Sequence, residues 1–287
     1  MPANPFAIPI RPTAGLLGVA STAALTIASH LLGLDACRTI YRHLEAPSRE
    51  SFASRVLQAL RIVPDCPRSD LRRVPSSGPL IVAANHPCGA LDGLVLLALV
   101  QRLRPDVRLL ANHLLARVPE LAAVCFFADP FGGASASANS LAGLRAARRW
   151  VSGGGTLIAF PSGEVAHERK SEGSYADSPW SATVGRMAVA TGAQVVPAFI
   201  AGANRRRFYA AGRVHPMLRT ALLPRELLAK RGQRIAISIG AAVAVDELVR
   251  SGLGGAVVTQ RIREKVDELG VRHRQARRCA DEDGTVD

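Results

Sequence analysis

The chain has 287 residues, of which 48% are hydrophobic and 21% are charged, and its formal net charge is +13. This length and composition are typical of a folded globular protein with a sizeable core, and they exclude a mainly disordered chain. The positive charge favours a nucleic acid, an anionic membrane surface or an acidic soluble molecule as partner, although basic chains also occur without one.

Residues 1–75 predict a helical, membrane-associating N-terminal section. Its apolar segment 14–34 is long enough to span a bilayer, but it is rich in Ala, Ser, Thr and Gly and contains His30. Three alternatives stay open for it: a helix lying in or on a membrane, a core helix, or a true span. Further along, residues 48–63 predict an amphipathic helix.

Residues 76–257 predict the main domain, because short apolar runs alternate there with helical patterns. Each run is continuously apolar, as in strands that are buried on both faces. The predicted strands are 80–85, 107–112, 124–129, 156–161, 195–200 and 234–240, and the predicted helices are 92–103, 138–152, 183–191 and 224–231. This alternation predicts an α/β fold with a mixed, mostly parallel sheet that is covered by helices on both faces.

The C-terminal part, 258–287, predicts a helix over 258–278 followed by a disordered acidic tail. Before it, the stretch 204–234 holds nine Arg and Lys residues against one Glu. Such a stretch is suited to anionic lipid head groups, to the acidic surface of an acyl carrier protein or to nucleic acid, and it is also compatible with a merely solvated face.

Three polar loops follow three of the predicted strands. Because ligands bind beyond the carboxyl ends of strands in open α/β sheets, these loops predict one shared site. The candidate residues are Asn85, His86, Gly89, Asp92, Phe160, Pro161, Ser162, Gly163, Glu164, Asn204 and Arg205.

Three sequence motifs resemble those of the glycerolipid (lysophospholipid) acyltransferases. "AANHPCGALDG" is similar to their first motif, in which Asn-His is followed by Asp, "GGGTLIAFPSGE" to their Phe-Pro-Glu-Gly-Thr-Arg strand, and "AQVVPAFIAG" to their late Val-Val-Pro strand. The motifs occur in the family's order, and the resemblance covers roughly residues 50–245. It is strongest to a bacterial branch that includes proteins called hemolysins and ornithine-lipid acyltransferases.

The resemblance implies that His86 and Asp92 carry the chemistry. Histidine titrates near neutral pH, so His86 is suited to take the proton from an acceptor hydroxyl or amine that attacks a thioester. Asp92 would then hold the imidazole in the correct tautomer, as in serine-enzyme triads, but without an enzyme nucleophile. Alternatively, Asn85 and His86 only cap the turn into the helix 92–103.

The sequence departs from the family pattern at three places. Five residues instead of four separate His86 from Asp92, and Gly89 has the backbone freedom to absorb the extra one. Val165 stands where the family has a phosphate-binding arginine, and the arginine after the middle strand is also missing. Since bidentate phosphate clamps are lost, the pattern favours an acceptor other than a glycerol phosphate, such as an amino-acid lipid whose cationic group meets Glu164. Glu164 is alternatively a capping or solvated residue.

Cys88 offers a rival chemistry, since a cysteine close to a histidine is sometimes a nucleophile. No other feature supports a cysteine hydrolase, and a small buried cysteine in a tight turn explains the residue better. The five cysteines are scattered and never spaced as Cys-x-x-Cys, which indicates neither a disulfide framework nor a zinc site and fits a reduced compartment.

The sequence therefore predicts an acyltransferase that moves a fatty acyl group from acyl carrier protein or acyl-CoA to a lipid-like acceptor. It is expected to work at the cytoplasmic face of the cell membrane, as a peripheral or monotopic protein, with no metal or cofactor. The main alternative is a non-enzymatic membrane-active or lipid-binding protein on the same fold. Nucleic acid is not expected as a partner, because the best loops carry acid–base groups rather than stacked aromatic residues.

Overall fold

The computed structural model describes residues 5–6, 26–44, 46, 48–128, 134–169 and 174–283. The helices are α1 (Leu34–His43), α2 (Phe52–Ala59), α3 (Arg68–Leu71), α4 (Ala90–Val100), α5 (Pro119–Ala122), α6 (Ala134–Ser152), α7 (Thr183–Thr191), α8 (Arg206–Val214), α9 (Pro216–Ala221), α10 (Leu223–Leu228), α11 (Val245–Arg250) and α12 (Gly255–Asp283). The strands are β1 (Val63–Asp65), β2 (Leu80–Ala84), β3 (Val107–Ala111), β4 (Cys125–Phe127), β5 (Thr156–Ala159), β6 (His167–Arg169), β7 (Ser174–Ala176), β8 (Gln194–Ile200) and β9 (Arg234–Ile239), and a 3₁₀ helix covers His113–Arg117.

The main sheet has seven strands in the order β1-β9-β8-β2-β5-β3-β4. The five strands from β8 to β4 run parallel to one another. Strand β9 runs antiparallel to β8 and pairs in parallel with β1. The predicted mixed, mostly parallel sheet is therefore confirmed, and all six predicted strands are present. Strands β6 and β7 form a separate antiparallel pair.

Helices cover both faces of this sheet, as predicted. Side chains of β2 alternate between two hydrophobic clusters: Leu80 and Val82 pack with α2 and α4 on one face, and Ile81 and Ala83 pack with α6, α7 and α12 on the other. Every residue of β2 is buried, as is α4 from its second residue onward. The continuous apolar runs in the sequence are explained by this two-sided burial.

The predicted helix over 48–63 is wrong at its C-terminal end. Helix α2 ends at Ala59, and Val63 begins β1, which pairs with β9. Pro64 explains the change, because a proline disfavours helical backbone at the residue before it and pushes that residue to an extended conformation. The predicted boundary at residue 75 stays a prediction, although β1 carries the N-terminal section into the main sheet.

The α12 helix packs closely on the domain. An added Cβ on Gly185 of α7 would come 2.0 Å from the carbonyl oxygen of Gly255, so only a glycine permits this approach. The helix extends to Asp283, so the first residues of the predicted disordered tail are helical, and residues 284–287 lie outside the described residues.

The predicted membrane segment 14–34 lies mostly outside the described residues. Of its described part, residues 26–31 are helical, and the Leu31 carbonyl accepts a hydrogen bond from Arg225 of α10. Among the described helices, none is both long and apolar enough to cross a bilayer.

Candidate active site

Three loops meet at one edge of the sheet. Strand β2 lies between β5 and β8, and all three run in the same direction, so their carboxyl ends share an edge. The loop after β2 carries His86, the loop after β5 carries Phe160 to Glu164, and the loop after β8 carries Asn204. The strand order thus explains why three motifs that are distant in sequence come together.

His86 and Asp92 form a hydrogen-bonded pair. The Nδ1 atom of His86 lies 2.9 Å from Oδ2 of Asp92. The same carboxylate oxygen accepts the backbone N–H groups of Cys88 at 2.8 Å and Gly89 at 2.9 Å. Asp92 is fully buried, whereas 17% of the His86 side chain is exposed. Three N–H donors stabilise negative charge on Asp92, and a carboxylate that accepts at Nδ1 leaves Nε2 of His86 as the unprotonated nitrogen.

Gly89 gives the loop between His86 and Asp92 an unusual backbone conformation. Its φ of 80° and ψ of −129° are strained for any residue with a side chain. Gly89 directly precedes α4, so Asp92 lies in the first turn of the helix, and its carboxylate accepts the N–H of Gly89 itself. The longer spacing therefore still brings the two side chains together.

The His86 ring and backbone are held from three further directions. The ring stacks on Phe160, with centroids 4.1 Å apart and planes 15° from parallel. The backbone carbonyl of His86 accepts the N–H of Ala166 at 2.8 Å, and its N–H donates to Oδ1 of Asp177 at 3.1 Å. The other oxygen of Asp177 accepts the indole N–H of Trp180 at 3.1 Å. Burial raises the pKa of the Asp177 carboxyl above its ordinary value, against the lowering effect of these two hydrogen bonds.

Sequence reasoning missed Asp177. It follows β7 and lies 91 residues from His86, without a recognisable spacing to any motif. Its neighbour Trp180 offers a weak signal, since a buried indole needs an acceptor for its N–H.

A cavity of about 430 Å³ opens beside the pair. Its walls come from α4, β3, α6, α7 and α10 as well as from the site loops. Most of the lining is apolar, including Leu109, Leu115, Leu144, Val184 and Leu223. The polar lining includes His86, Glu164 and Arg219.

Glu164 is paired with a residue from outside the motifs. Its Oε2 atom lies 2.7 Å from Nη2 of Arg219 in α9, and its Oε1 atom accepts the hydroxyl of Ser178. The two charged side chains are 20% and 11% exposed, respectively. Arg219 belongs to the basic stretch and brings a guanidinium to the cavity although both motif arginines are missing. The carboxylate of Glu164, which the sequence predicts to meet a cationic group of the acceptor, therefore already has a cationic partner within the chain.

Of the eleven predicted site residues, six line the cavity, one lies behind the lining and four do not line it. His86, Gly89, Phe160, Pro161, Gly163 and Glu164 line the cavity, and Asp92 lies directly behind His86. Asn85 instead joins β2 to β8, because its amide exchanges two hydrogen bonds with the backbone of Ile200, at 2.7 and 2.9 Å. The hydroxyl of Ser162 donates to the Glu164 carbonyl.

Asn204 and Arg205 are likewise not cavity-lining residues. Asn204 is buried, its N–H donates to the Tyr209 hydroxyl, and both polar atoms of its side chain are without a partner among the described residues. Arg205 is exposed and its N–H donates to the buried Glu226. The backbone N–H groups of both residues thus hold the loop after β8 in place.

Cys88 does not offer a nucleophile. It is 2% exposed, and burial raises the pKa of its thiol, which keeps it in the unreactive protonated form. All five cysteines are free. Within the described part of the chain, no three His, Cys, Asp or Glu side chains are grouped so as to hold a metal ion.

The comparison with family models agrees with the motifs. A family model described as "Acyltransferase" matches residues 35–269. No curated protein matches the chain in sequence. Among solved structures, the chain is similar to the 1-acyl-sn-glycerophosphate (LPA) acyltransferase PlsC from Thermotoga maritima. The identity is 18%, the match covers 85% of this chain and 95% of that chain, and the TM-score is 0.48.

Proposed function

Because the chain belongs to the acyltransferase family, whose model covers most of its length, we propose that it transfers a fatty acyl group from a thioester to a lipid-like acceptor. The donor in this proposal is acyl carrier protein or acyl-CoA, and the acceptor is a lysolipid or an amino-acid lipid. The observation that carries the proposal is the hydrogen-bonded His86–Asp92 pair beside a mostly apolar cavity that His86 lines. The family assignment favours this enzyme over a non-catalytic lipid-binding protein.

His86 acts as the general base in this proposal. Its Nδ1 is engaged by Asp92, so Nε2 is the nitrogen that takes the proton from the acceptor hydroxyl or amine. The deprotonated acceptor attacks the thioester carbonyl, the carbon–sulfur bond breaks, and the proton on His86 passes to the leaving thiolate. Stacking on Phe160 limits rotation of the imidazole, which keeps Nε2 in one direction through both proton transfers.

Asp92 acts through His86. Its carboxylate fixes the Nδ1–H tautomer and stabilises the imidazolium that forms when Nε2 is protonated. Because Asp92 is fully buried and already oriented by two backbone N–H groups, it needs no rearrangement during the reaction.

The cavity is proposed to hold the acyl chain. Its size is within the usual range of small-molecule sites, and its apolar walls suit a hydrocarbon that ends at His86. Small residues line the wall of α4, where Ala90 and Gly93 leave room beside Leu109. An acyl chain in this position would bring its carbonyl close to the imidazole.

The acceptor head group is proposed to lie against Glu164 and Arg219. These side chains present one carboxylate and one guanidinium at the cavity wall, and each has hydrogen-bonding capacity beyond their single mutual bond. A head group that carries both an anionic and a cationic group would bind more tightly than a purely anionic one, because Glu164 repels the purely anionic group.

The protein is further proposed to work as a peripheral or monotopic protein at the cytoplasmic face of the cell membrane. The lipid acceptor and the free, reduced cysteines support this location.

An acyl-transfer assay on the purified protein tests the proposal, with radiolabelled palmitoyl-CoA and palmitoyl-acyl carrier protein as donors. Each donor is paired with an amino-acid lysolipid and with lysophosphatidic acid, all dispersed in detergent. We expect a labelled diacyl product, with a preference for the amino-acid lysolipid that is weakened in the Glu164→Gln variant. Absence of a product with every pair, from protein whose circular dichroism shows a folded chain, would refute the proposed reaction.

A further inference from the structure

The turn between α8 and α9 exposes a cluster of large apolar side chains. We define the α8–α9 corner as residues 213–218, all of which are exposed. Within it, the exposed fraction is 78% for Val214, 65% for Met217 and 47% for Leu218. Single exposed apolar residues are ordinary on protein surfaces, but three within five positions form a patch that needs an explanation.

The corner has a defined shape. The ring nitrogen Nδ1 of His215 accepts the N–H of Met217 at 3.1 Å, and Pro216 occupies the first turn of α9. An N-terminal cap and a proline at this position both fix where a helix begins. The exposed apolar side chains are therefore presented by a turn whose backbone conformation is fixed.

The α8–α9 corner borders the catalytic cavity. Arg219 and Thr220 line the cavity and directly follow Leu218. Arg219 also fastens α9 to the site through its hydrogen bond with Glu164. Another cavity-lining residue, Leu114, is 54% exposed, so apolar surface also reaches solvent from the 3₁₀ helix.

The surface beside the corner is positively charged. Residues 204–225 contain six arginines and no acidic residue. Arg205, Arg206 and Arg207, at the start of α8, are exposed, and Nε of Arg207 lies 3.8 Å from Oε1 of the fully buried Glu226. Exposed apolar side chains next to a group of arginines are the pattern by which proteins bind the interface of an anionic bilayer.

We propose that the α8–α9 corner inserts Val214, Met217 and Leu218 into the boundary between head groups and acyl chains of an anionic bilayer. The arginines of α8 then contact the lipid head groups, and the cavity opens toward the membrane. The choice of a lipid partner rests on the proposed function, since its acceptor resides in a bilayer. An acidic protein would also meet the arginines, but exposed apolar side chains together with arginines are better suited to the interface of an anionic bilayer.

Sedimentation with vesicles tests the insertion in the full chain. The variant Val214→Ser, Met217→Ser, Leu218→Ser is compared with the wild type on vesicles of phosphatidylcholine with phosphatidylglycerol, and on phosphatidylcholine alone. The control, Val249→Ser, Val257→Ser, Val271→Ser, removes three exposed apolar side chains from α11 and α12 that are 41%, 39% and 44% exposed. We expect the corner variant to lose about 10-fold or more in affinity for the anionic vesicles, and the control to bind as the wild type does.

A dye at the corner gives a second measurement that does not depend on affinity. Met217→Cys, labelled with an environment-sensitive fluorophore in a Cys66→Ser, Cys279→Ser background, should report an apolar environment when anionic vesicles are added. Val249→Cys in the same background should not. Equal vesicle binding by the corner variant and the wild type, or an unchanged fluorophore at position 217, would overturn the proposal. The proposal would also be overturned if the corner variant lost binding to an acidic carrier protein but still bound vesicles as the wild type does.

Acyl transfer by the wild type to an acceptor in detergent tests the proposed function separately, because that assay needs no bilayer. If the protein transfers acyl groups in detergent but the corner does not insert into vesicles, the proposed function is supported and the insertion is refuted. If the corner inserts into vesicles but the protein transfers no acyl group, the insertion is supported and the proposed function is refuted.

Discussion

The arrangement around His86 shows how single residues set the chemistry of this site. Three contacts fix His86. Asp92 holds Nδ1 of the imidazole, Phe160 stacks on the ring face, and Asp177 accepts the backbone N–H. Only Nε2 stays available for proton transfer. A base held in this way pays little of the cost of orientation when the substrate arrives, which is how positioned groups accelerate reactions.

Asp177 is inferred to be a positioning residue, since it contacts the backbone of His86. In the Asp177→Ala variant, the partly buried N–H of His86 loses its acceptor, which lowers the free energy of unfolding by about 1 kcal/mol. We expect kcat to fall with little change in KM, because the imidazole is displaced while the cavity stays intact. Chemical denaturation and steady-state kinetics measure the two effects.

The Asp177→Asn variant is the matched control. Its amide oxygen can still accept the His86 N–H, so it should recover most of kcat even if the contact with Trp180 is lost. If Asp177→Ala and Asp177→Asn lose stability equally and neither changes kcat, Asp177 has only a structural role.

At the scale of elements, α4 combines three tasks. Its first turn carries Asp92, its apolar side chains fill the core beneath the sheet, and its Gly93 lines the cavity. The helix is buried from Leu91 to Val100, so it is held by packing on all sides. The catalytic carboxylate and the cavity wall are therefore positioned by one rigid element.

Gly93 is predicted to set the length of acyl chain that the cavity accepts. A Cβ added there would come 3.0 Å from Cδ2 of Leu109, so a larger side chain must occupy the cavity. The helix backbone itself favours the change, since leucine is one of the stronger helix formers whereas glycine is about 0.8–1 kcal/mol less favourable than alanine. Gly93→Leu should shift the preference from palmitoyl toward octanoyl donors, measured as kcat/KM for the two acyl-CoA esters.

The Gly93→Ala variant should show a smaller shift in the same direction. An unchanged ratio of the two kcat/KM values in a folded Gly93→Leu protein would place the acyl chain elsewhere.

For the whole molecule, the sequence was informative where burial or motif order is regular. The continuous apolar runs marked the six strands because both faces of the sheet are covered, and motif order marked the loops that meet at its edge. Contacts between side chains from distant segments could not be predicted from the sequence. Asp177 reaches His86, and Arg219 reaches Glu164, from stretches without motif spacing. Helices α8 and α9 were missed because their many arginines obscure the short apolar face of Phe208 and Tyr209.

The central claim is that His86 is the general base, and the rate of acyl transfer by His86→Ala tests it most directly. The purified variant is compared with the wild type and with the exposed control His43→Ala, using the donor and acceptor that give product with the wild type. We expect a rate about 10²–10⁴-fold lower for His86→Ala, with unfolding transitions unchanged, and a normal rate for the control. A folded His86→Ala protein that transfers acyl groups at the wild-type rate would contradict the account.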